Sequence, residues 1–389
     1  MTQKNFLPYA KQSISAQDIE EVGHALKGAW ITRGPEVEAF EKELAAYCGA
    51  KYAVAFSSGS AALAGAFSAA GVNRQDRILS SPNTFVASVG PAVLLGANPI
   101  FIDIDKTTGN VDLQHLVDNI NKLTSRGRPI AVPMHYAGLP IDMEQLDQLI
   151  ANPDAIVIED AAQALGSNYP RQGPKVGSCT WSAMTIFSFH PAKILTTGEG
   201  GMVTTNSEEL YQLLCRFRNN GIAKKGEGVP WYYEVQDLTN NYNFTDFQAA
   251  LGRSQLKRLD QNVEKRRDLM KKYREKLASL PHVGLLSAEF DDHTAFHLCV
   301  ALIDFAAIGK TREDVMLRLK EKGIGTQVHY IPLYRHPYFQ SLSGEIAAYF
   351  PETENFYARA LSLPLYSDLS LSEVEQVVEA LAEVMNKPR

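Results

Sequence analysis

The chain has 389 residues, 45% of them hydrophobic and 21% charged, with a formal net charge of -6. That is enough to bury a large core without a disulfide or metal staple and too long for one compact unit, so two domains are expected. The mild acidity argues against a partner that is a nucleic acid or an anionic membrane, which would call for a basic patch. The four cysteines, Cys48, Cys179, Cys215 and Cys299, are scattered without a C-x-x-C pair. That spacing fits reduced thiols in a cytoplasmic protein and neither a zinc site nor a disulfide framework; no metal is expected.

The N-terminal MTQKNFLPYAKQS lacks the apolar run of a secretion signal. The first strand is AVAF (53–56), and Ser57-Ser58-Gly59-Ser60 after it opens the helical pattern AALAGAFSAAG (61–71). A helix N-terminus offers free backbone N–H groups and a positive dipole end, and glycine lets an anion come close, so this turn can seat a phosphate. Taken alone, a plain serine N-cap is the commoner reading. RILSS (77–81) is the second strand, followed by Phe85 in SSPNTFVAS, which can stack on a planar heterocycle or join the core. The most apolar stretch, Val86 to Ile104, is broken by Gly90, Pro91, Gly96, Asn98, Pro99 and Asp103. It predicts a helix and then a buried strand, PIFIDI (99–104), not a membrane span. PIAVPM (129–134) is a further strand and DMEQLDQLIA (142–151) a helix.

AIVIED (155–160) ends on Asp160. A carboxylate at the end of a buried strand needs a partner. A protonated cofactor nitrogen and the cap of a following helix, DAAQALGS, serve equally well, and Gln163 falls on the same face of that helix. MTIFSF (184–189) carries Ser188 near its end and leads to Lys193 in FSFHPAKILTTGEGG. A lysine in a low-dielectric site has a lowered pKa and can form an imine with an aldehyde. A solvated lysine is the default for any single one; Ser188 and the glycines Gly198, Gly200 and Gly201 weigh against it here. GMVTT (201–205) completes the series.

Unbroken apolar runs alternating with helices predict an α/β fold, a central mostly parallel sheet wrapped by helices, with ligands beyond the carboxyl ends of its strands. After about Asp246 the pattern changes to a long charged helical stretch, read as a solvated helix linking two domains. Strand-like AFHLCVALID (295–304) and GTQVHYIP (325–332) follow, with helices over TREDVMLRLKEKG and SEVEQVVEALAEVMN, a smaller C-terminal α+β unit. The expected division is 1–255 and 256–389.

A phosphate seat, a buried acid, an imine lysine and a stacking aromatic at one sheet edge match what pyridoxal 5'-phosphate (PLP) requires. The chain also resembles the DegT-type sugar-nucleotide aminotransferases, fold-type I PLP enzymes with an aspartate aminotransferase-like fold. The resemblance covers nearly the whole length. It is carried by LPYAKQSI, GAWITRGPEVEAFE, SSGSAAL, SPNTFVAS, FIDID, EDAAQALGS, FSFHPAKILTTGEGG, NYNFTDFQAALGRSQLKRLD, VHYIPLYRHPYF and LSLPLYSDLS. Within the family, PYAKQ, FHPAK with TTGEGG, and PWYYEVQDL (230–238) resemble the aminotransferases of pseudaminic acid biosynthesis.

The resemblance implies that Lys193 holds the cofactor as an imine, Asp160 pairs with its ring nitrogen, Gln163 approaches its hydroxyl and Phe85 stacks on its ring. Gly59, Ser60 and Ser188 bind the phosphate, joined across a homodimer interface by Asn241 or Asn243 of the partner subunit. Tyr9, Thr32, His329 and Tyr330 are the candidates for sugar-nucleotide contacts, packing or loop structure being an equal alternative for each. The implied reaction carries an amino group from L-glutamate to C4 of a UDP-linked 4-keto-6-deoxy-N-acetylhexosamine. Alternatives are another UDP-, GDP- or dTDP-linked ketone, or a non-catalytic PLP-binding regulator. Two departures stand out: Thr239-Asn240-Asn241-Tyr242-Asn243 where the family has glycine-aromatic-Asn-Tyr, and Tyr334 where many relatives have histidine. The family's sugar dehydratases carry histidine in place of the imine lysine, so Lys193 favours amino transfer; His190 does not fill that position.

Overall fold

Seven strands form the main sheet: β1 (Tyr52–Phe56), β2 (Arg77–Ser80), β3 (Asn98–Phe101), β4 (Pro129–Ala131), β5 (Ile156–Asp160), β6 (Met184–Ser188) and β7 (Gly201–Thr205). The structure is a computed structural model that describes residues 6–123, 127–223 and 229–386. The strand order is β1-β7-β6-β5-β4-β2-β3. All neighbours from β3 to β6 are parallel, and β7 runs antiparallel between β6 and β1. The carboxyl ends of β1, β2, β4, β5 and β6 therefore share one edge of the sheet, and the reversed β7 starts there, at Gly201.

The unbroken apolar runs have a simple cause. Side chains alternate between the two faces of a strand, and both faces of this sheet are covered. Ala53, Ala55, Leu79, Ala131, Val157, Phe187 and Met202 enter one core, while Val54, Phe56, Ile78, Ile130, Ile158, Ile186 and Val203 enter the other. The edge strand β3 departs from the expected buried strand: it pairs only with β2, at the edge of the sheet, and is half-buried.

A two-stranded hairpin follows, β8 (Ile222–Ala223) with β9 (Glu234–Val235). The last sheet is antiparallel: β10 (Val283–Leu285), β11 (Cys299–Ile303) and β12 (Ala360–Leu363). It has its own core, shared with the helices Arg312–Glu321 and Leu371–Asn386.

Three local expectations are corrected. The long charged stretch is two helices, Asp246–Leu256 and Leu259–Leu277. It is not a solvated link: Leu259 and Val263 pack in a main-sheet core and Leu269, Met270, Tyr273 and Leu277 in the β10–β12 core. Between them Arg266, 1% exposed, donates to the carbonyls of Phe296 and Leu365 at 3.1 and 3.2 Å. The GTQVHYIP segment is no strand; it makes a single bridge, Gln327 to Ser362. DAAQALGS forms turns in place of a helix. Among the described residues no helix is long and apolar enough to cross a membrane.

Candidate active site

At the shared strand edge the helix Gly59–Ala69 begins. Ser58 caps it, its hydroxyl accepting from the Ala61 N–H at 3.1 Å. Two glycines allow the close approach of three elements here. A Cβ on Gly59 would lie 2.9 Å from the Ser188 Cβ, and one on Gly201 would lie 2.5 Å from the Ser58 carbonyl oxygen. The end of β6, the start of β7 and the helix N-terminus thus press together. The first-turn N–H groups at Gly59 and Ser60 have no carbonyl within the helix and face this corner, with Ser188 beside them. The cap and the anion seat coexist: Ser58 is the first and the residues after it are free for the second.

Asp160 ends β5 and is 2% exposed. With no helix after it, its Oδ1 accepts from the Ala162 N–H at 3.0 Å, and its Oδ2 accepts from the Ser88 hydroxyl at 2.5 Å. Gln163 lies in the same turn. Its Oε1 accepts from the Ala137 N–H and its Nε2 donates to the Tyr330 hydroxyl, both at 2.6 Å. The turn, not a shared helical face, brings Gln163 beside Asp160.

Lys193 follows β6 in a loop held by bonds from the Phe189 N–H to the Gly200 carbonyl (2.8 Å) and from the Thr197 N–H to the Phe189 carbonyl (3.0 Å). It is partly buried. Burial pushes its pKa down to about 8, against the opposing pull of the Asp160 charge. This environment weighs against the solvated-lysine reading. Two imidazoles share it: His329, pushed down to about 4 by burial and then by Lys193, and His297, pushed well below its ordinary value by burial, Lys193 and Arg266. Both are neutral around pH 7. His297 is a residue the sequence reading missed; the one signal was a polar residue inside an apolar run, AFHLCV. Its Nδ1 has no hydrogen-bond partner among the described residues.

Phe85 is 53% exposed, so it is no core residue. Its ring lies 6.2 Å from that of Tyr330, tilted by 48°. Both rings line a cavity of about 540 Å³ that also includes Thr84, His329 and Tyr338.

Of the proposed substrate contacts, Tyr9, His329 and Tyr330 converge: the Tyr9 and His329 rings are 5.5 Å apart, and His329 Nδ1 is 2.8 Å from the Ser362 hydroxyl. Thr32, the fourth, and the proposed phosphate contacts Asn241 and Asn243 make other bonds. Thr32 bridges to Thr245, and the Asn243 Nδ2 donates to the Asn241 Oδ1 at 2.7 Å. The segment meets the helix-start corner where the Ser57 N–H donates to the Tyr242 carbonyl at 3.0 Å.

Beneath the site is a second buried network that the sequence reading also missed. Glu159, on the opposite side of β5 from Asp160, accepts from His135 Nε2 (2.8 Å), Tyr169 (2.6 Å), Thr185 (2.9 Å) and Ser182. His135 Nδ1 accepts from the Ile141 N–H at 3.0 Å, which fixes the ring proton on Nε2.

The residues fit PLP: small residues at a helix start for a phosphate, a buried carboxylate with spare acceptor capacity for a ring nitrogen, a lysine of lowered pKa for an aldehyde, and an exposed ring for a planar face.

Comparison with known proteins decides the family: residues 12–382 match the DegT/DnrJ/EryC1/StrS aminotransferase family. The chain belongs to this family. Among curated relatives, this aminotransferase is 38% identical to the spore coat polysaccharide biosynthesis protein SpsC of Bacillus subtilis, over 99% of both chains. It is 34% identical to the UDP-4-amino-4,6-dideoxy-N-acetyl-beta-L-altrosamine transaminase of Campylobacter jejuni, over 98% of both. Among solved structures it superposes on Helicobacter pylori PseC, an aminotransferase involved in the biosynthesis of pseudoaminic acid, with a TM-score of 0.89 and 27% identity, covering 98% of this chain and 99% of that one. The PLP form of the putative sugar aminotransferase Spr1654 of Streptococcus pneumoniae gives a TM-score of 0.87 at 26% identity, covering 98% of both.

Proposed function

We propose that this aminotransferase carries PLP on Lys193 and transfers an amino group from L-glutamate to C4 of a UDP-linked 4-keto-6-deoxy-N-acetylhexosamine. The observation that carries the reading is Lys193 itself: partly buried, with a pKa of about 8, at the strand edge it shares with Asp160 and the Gly59–Ala69 helix start. Bound there, the cofactor would supply an electron sink that makes the proton on the substrate carbon removable. Asp160 balances the positive charge on the ring nitrogen. Gly59, Ser60 and Ser188 hold the phosphate, Gln163 reaches the ring hydroxyl and Phe85 covers one face. Lys193 would hold the cofactor and, as a free amine of lowered pKa, would serve as the general base that moves the proton of the donor carbon.

The most specific substrate this reading names is UDP-2-acetamido-2,6-dideoxy-β-L-arabino-hex-4-ulose. Its support is the likeness to the Campylobacter transaminase and to PseC, together with PWYYEVQDL. Tyr9, His329 and Tyr330 would meet the sugar nucleotide from this subunit. Asn241 or Asn243 of the partner subunit would complete the phosphate site across a homodimer interface, and Thr32 would meet the sugar nucleotide. Another nucleotide-linked 4-keto-6-deoxy sugar is favoured by one observation: the greater identity to SpsC, a spore coat polysaccharide protein.

The test is a panel of UDP-, GDP- and dTDP-linked 4-keto sugars with glutamate, read by product identification. Preference for a GDP- or dTDP-linked ketone removes the first substrate. A protein that gains no visible absorbance band with PLP, or a Lys193→Ala variant that still turns over, removes the mechanism.

A further inference from the structure

Asp160 is bonded to a hydroxyl, that of Ser88, which is bonded in turn to that of Thr84; the reaction has used neither. Ser88 lies in the 3₁₀ turn Val86–Ser88, directly after Phe85, and Thr84 directly before it. Ser88 is 0% exposed and Thr84 1%. The contacts form a line: Asp160 Oδ2 to Ser88 Oγ at 2.5 Å, Ser88 Oγ to Thr84 Oγ1 at 2.6 Å, Thr84 Oγ1 to Met134 Sδ at 2.8 Å. Each hydroxyl has one proton to give. With a proton in both oxygen–oxygen contacts, the line runs in one of two directions. If Asp160 is ionised it can only accept, so Ser88 donates to Asp160 and Thr84 donates to Ser88. If Asp160 carries a proton and gives it to Ser88, every donor turns outward and the last proton rests on the Met134 sulfur. A thioether is a weak acceptor and a carboxylate a strong one, so the inward direction is favoured.

We propose that Ser88, oriented by Thr84, is a positioning residue that, by donating to Asp160, fixes the carboxylate toward the cofactor's ring nitrogen and so keeps the proton there. One turn after β2 then supplies both the ring's stacking face, Phe85, and the hydroxyl that sets its electronic state. The inference rests on the reading of Asp160 as the ring-nitrogen partner.

The test uses the holoenzyme and two readouts besides turnover: the dissociation constant for PLP, and the pH midpoint at which the bound cofactor's visible band titrates. A less positive ring makes the nitrogen attached to its aldehyde carbon more basic, so losing the ring proton moves that midpoint to higher pH. Ser88→Ala is expected to weaken PLP binding about tenfold, the scale of one hydrogen bond to a charged group, and to raise the midpoint. Asp160→Asn raises it further. Thr84→Val raises it less than Ser88→Ala, while Thr84→Ser, which keeps the hydroxyl, matches the wild type. An unchanged midpoint in Ser88→Ala overturns the proposal, as does a loss of thermal stability with the titration intact, which marks a structural role only. If Ser88→Ala does not fold, Thr84→Val decides alone: a midpoint equal to that of Thr84→Ser overturns it. A wild type without a visible band sinks the cofactor reading itself, and a band that Asp160→Asn leaves unshifted sinks the assignment of Asp160; either is distinct from a failure confined to Ser88.

Discussion

Glu159 and Asp160 are consecutive on β5, both almost fully buried, and they project to opposite sides of the sheet. Glu159 accepts from four side-chain donors, His135, Tyr169, Ser182 and Thr185. A carboxylate has about four acceptor sites, so Glu159 is saturated. Asp160 accepts from Ser88 and Ala162 and keeps acceptor capacity toward the edge where Lys193 lies. Burial is the same for the two; the unused capacity differs. On that difference rest the roles proposed for them: Glu159 to hold the fold, Asp160 to meet a ligand.

The largest effect is expected where saturation is broken. Glu159→Ala should lower the unfolding free energy by about 3–5 kcal/mol, because it strands several buried donors, while the folded fraction keeps its kcat. Denaturant melts and active-site titration check this together; a fall in kcat per folded site with stability intact would reverse the assignment. The pH dependence has a definite sign. Burial pushes Glu159 up, but the bonds from His135, Ser182 and Tyr169 outweigh it and hold the carboxyl below its ordinary 4.5. Its contribution to stability is therefore present above pH 4.5 and is lost as pH falls through the lower folded value, so the wild type and a Glu159→Gln variant should converge in strong acid.

Asp160→Asn is next. It should cost on the order of 10²-fold in kcat, as loss of one preorganised charge does, with little change in melting temperature. Third is the pH dependence of cofactor capture. Only the neutral amine of Lys193 attacks an aldehyde, so the rate at which the apoprotein takes up PLP should rise about tenfold from pH 7 and level off above about 8. A midpoint near 10.5, the ordinary lysine value, would return Lys193 to the solvated class. The smallest effect belongs to Phe85→Leu, about 1 kcal/mol in PLP affinity by equilibrium dialysis, the scale of an aromatic face contact.

Much of the site was legible in the sequence because its residues sit at strand ends, and the strands announce themselves as apolar runs. Ser58 to Ser60, Phe85, Asp160, Ser188 and Lys193 are candidates picked out this way. Gln163 became a candidate for a wrong reason, a helix that is a turn, because the local pattern of DAAQALGS is helical while the Asp160–Ala162 and Gln163–Ala137 bonds hold the segment in turns. Ser88, His135, Glu159 and His297 were not found. Each draws its meaning from a partner far along the chain, as Ser88 does from Asp160.

By itself the sequence determined the layered sheet, its strand ends and the family, since alternation, covered faces and contiguous motifs are local properties. Tertiary structure alone decided which of two adjacent carboxylates is spoken for, which way the amide of Gln163 points, and that Lys193 is held near pH 8. Those depend on how much water is excluded and on which donors arrive from distant segments. Neither quantity exists until the chain has folded.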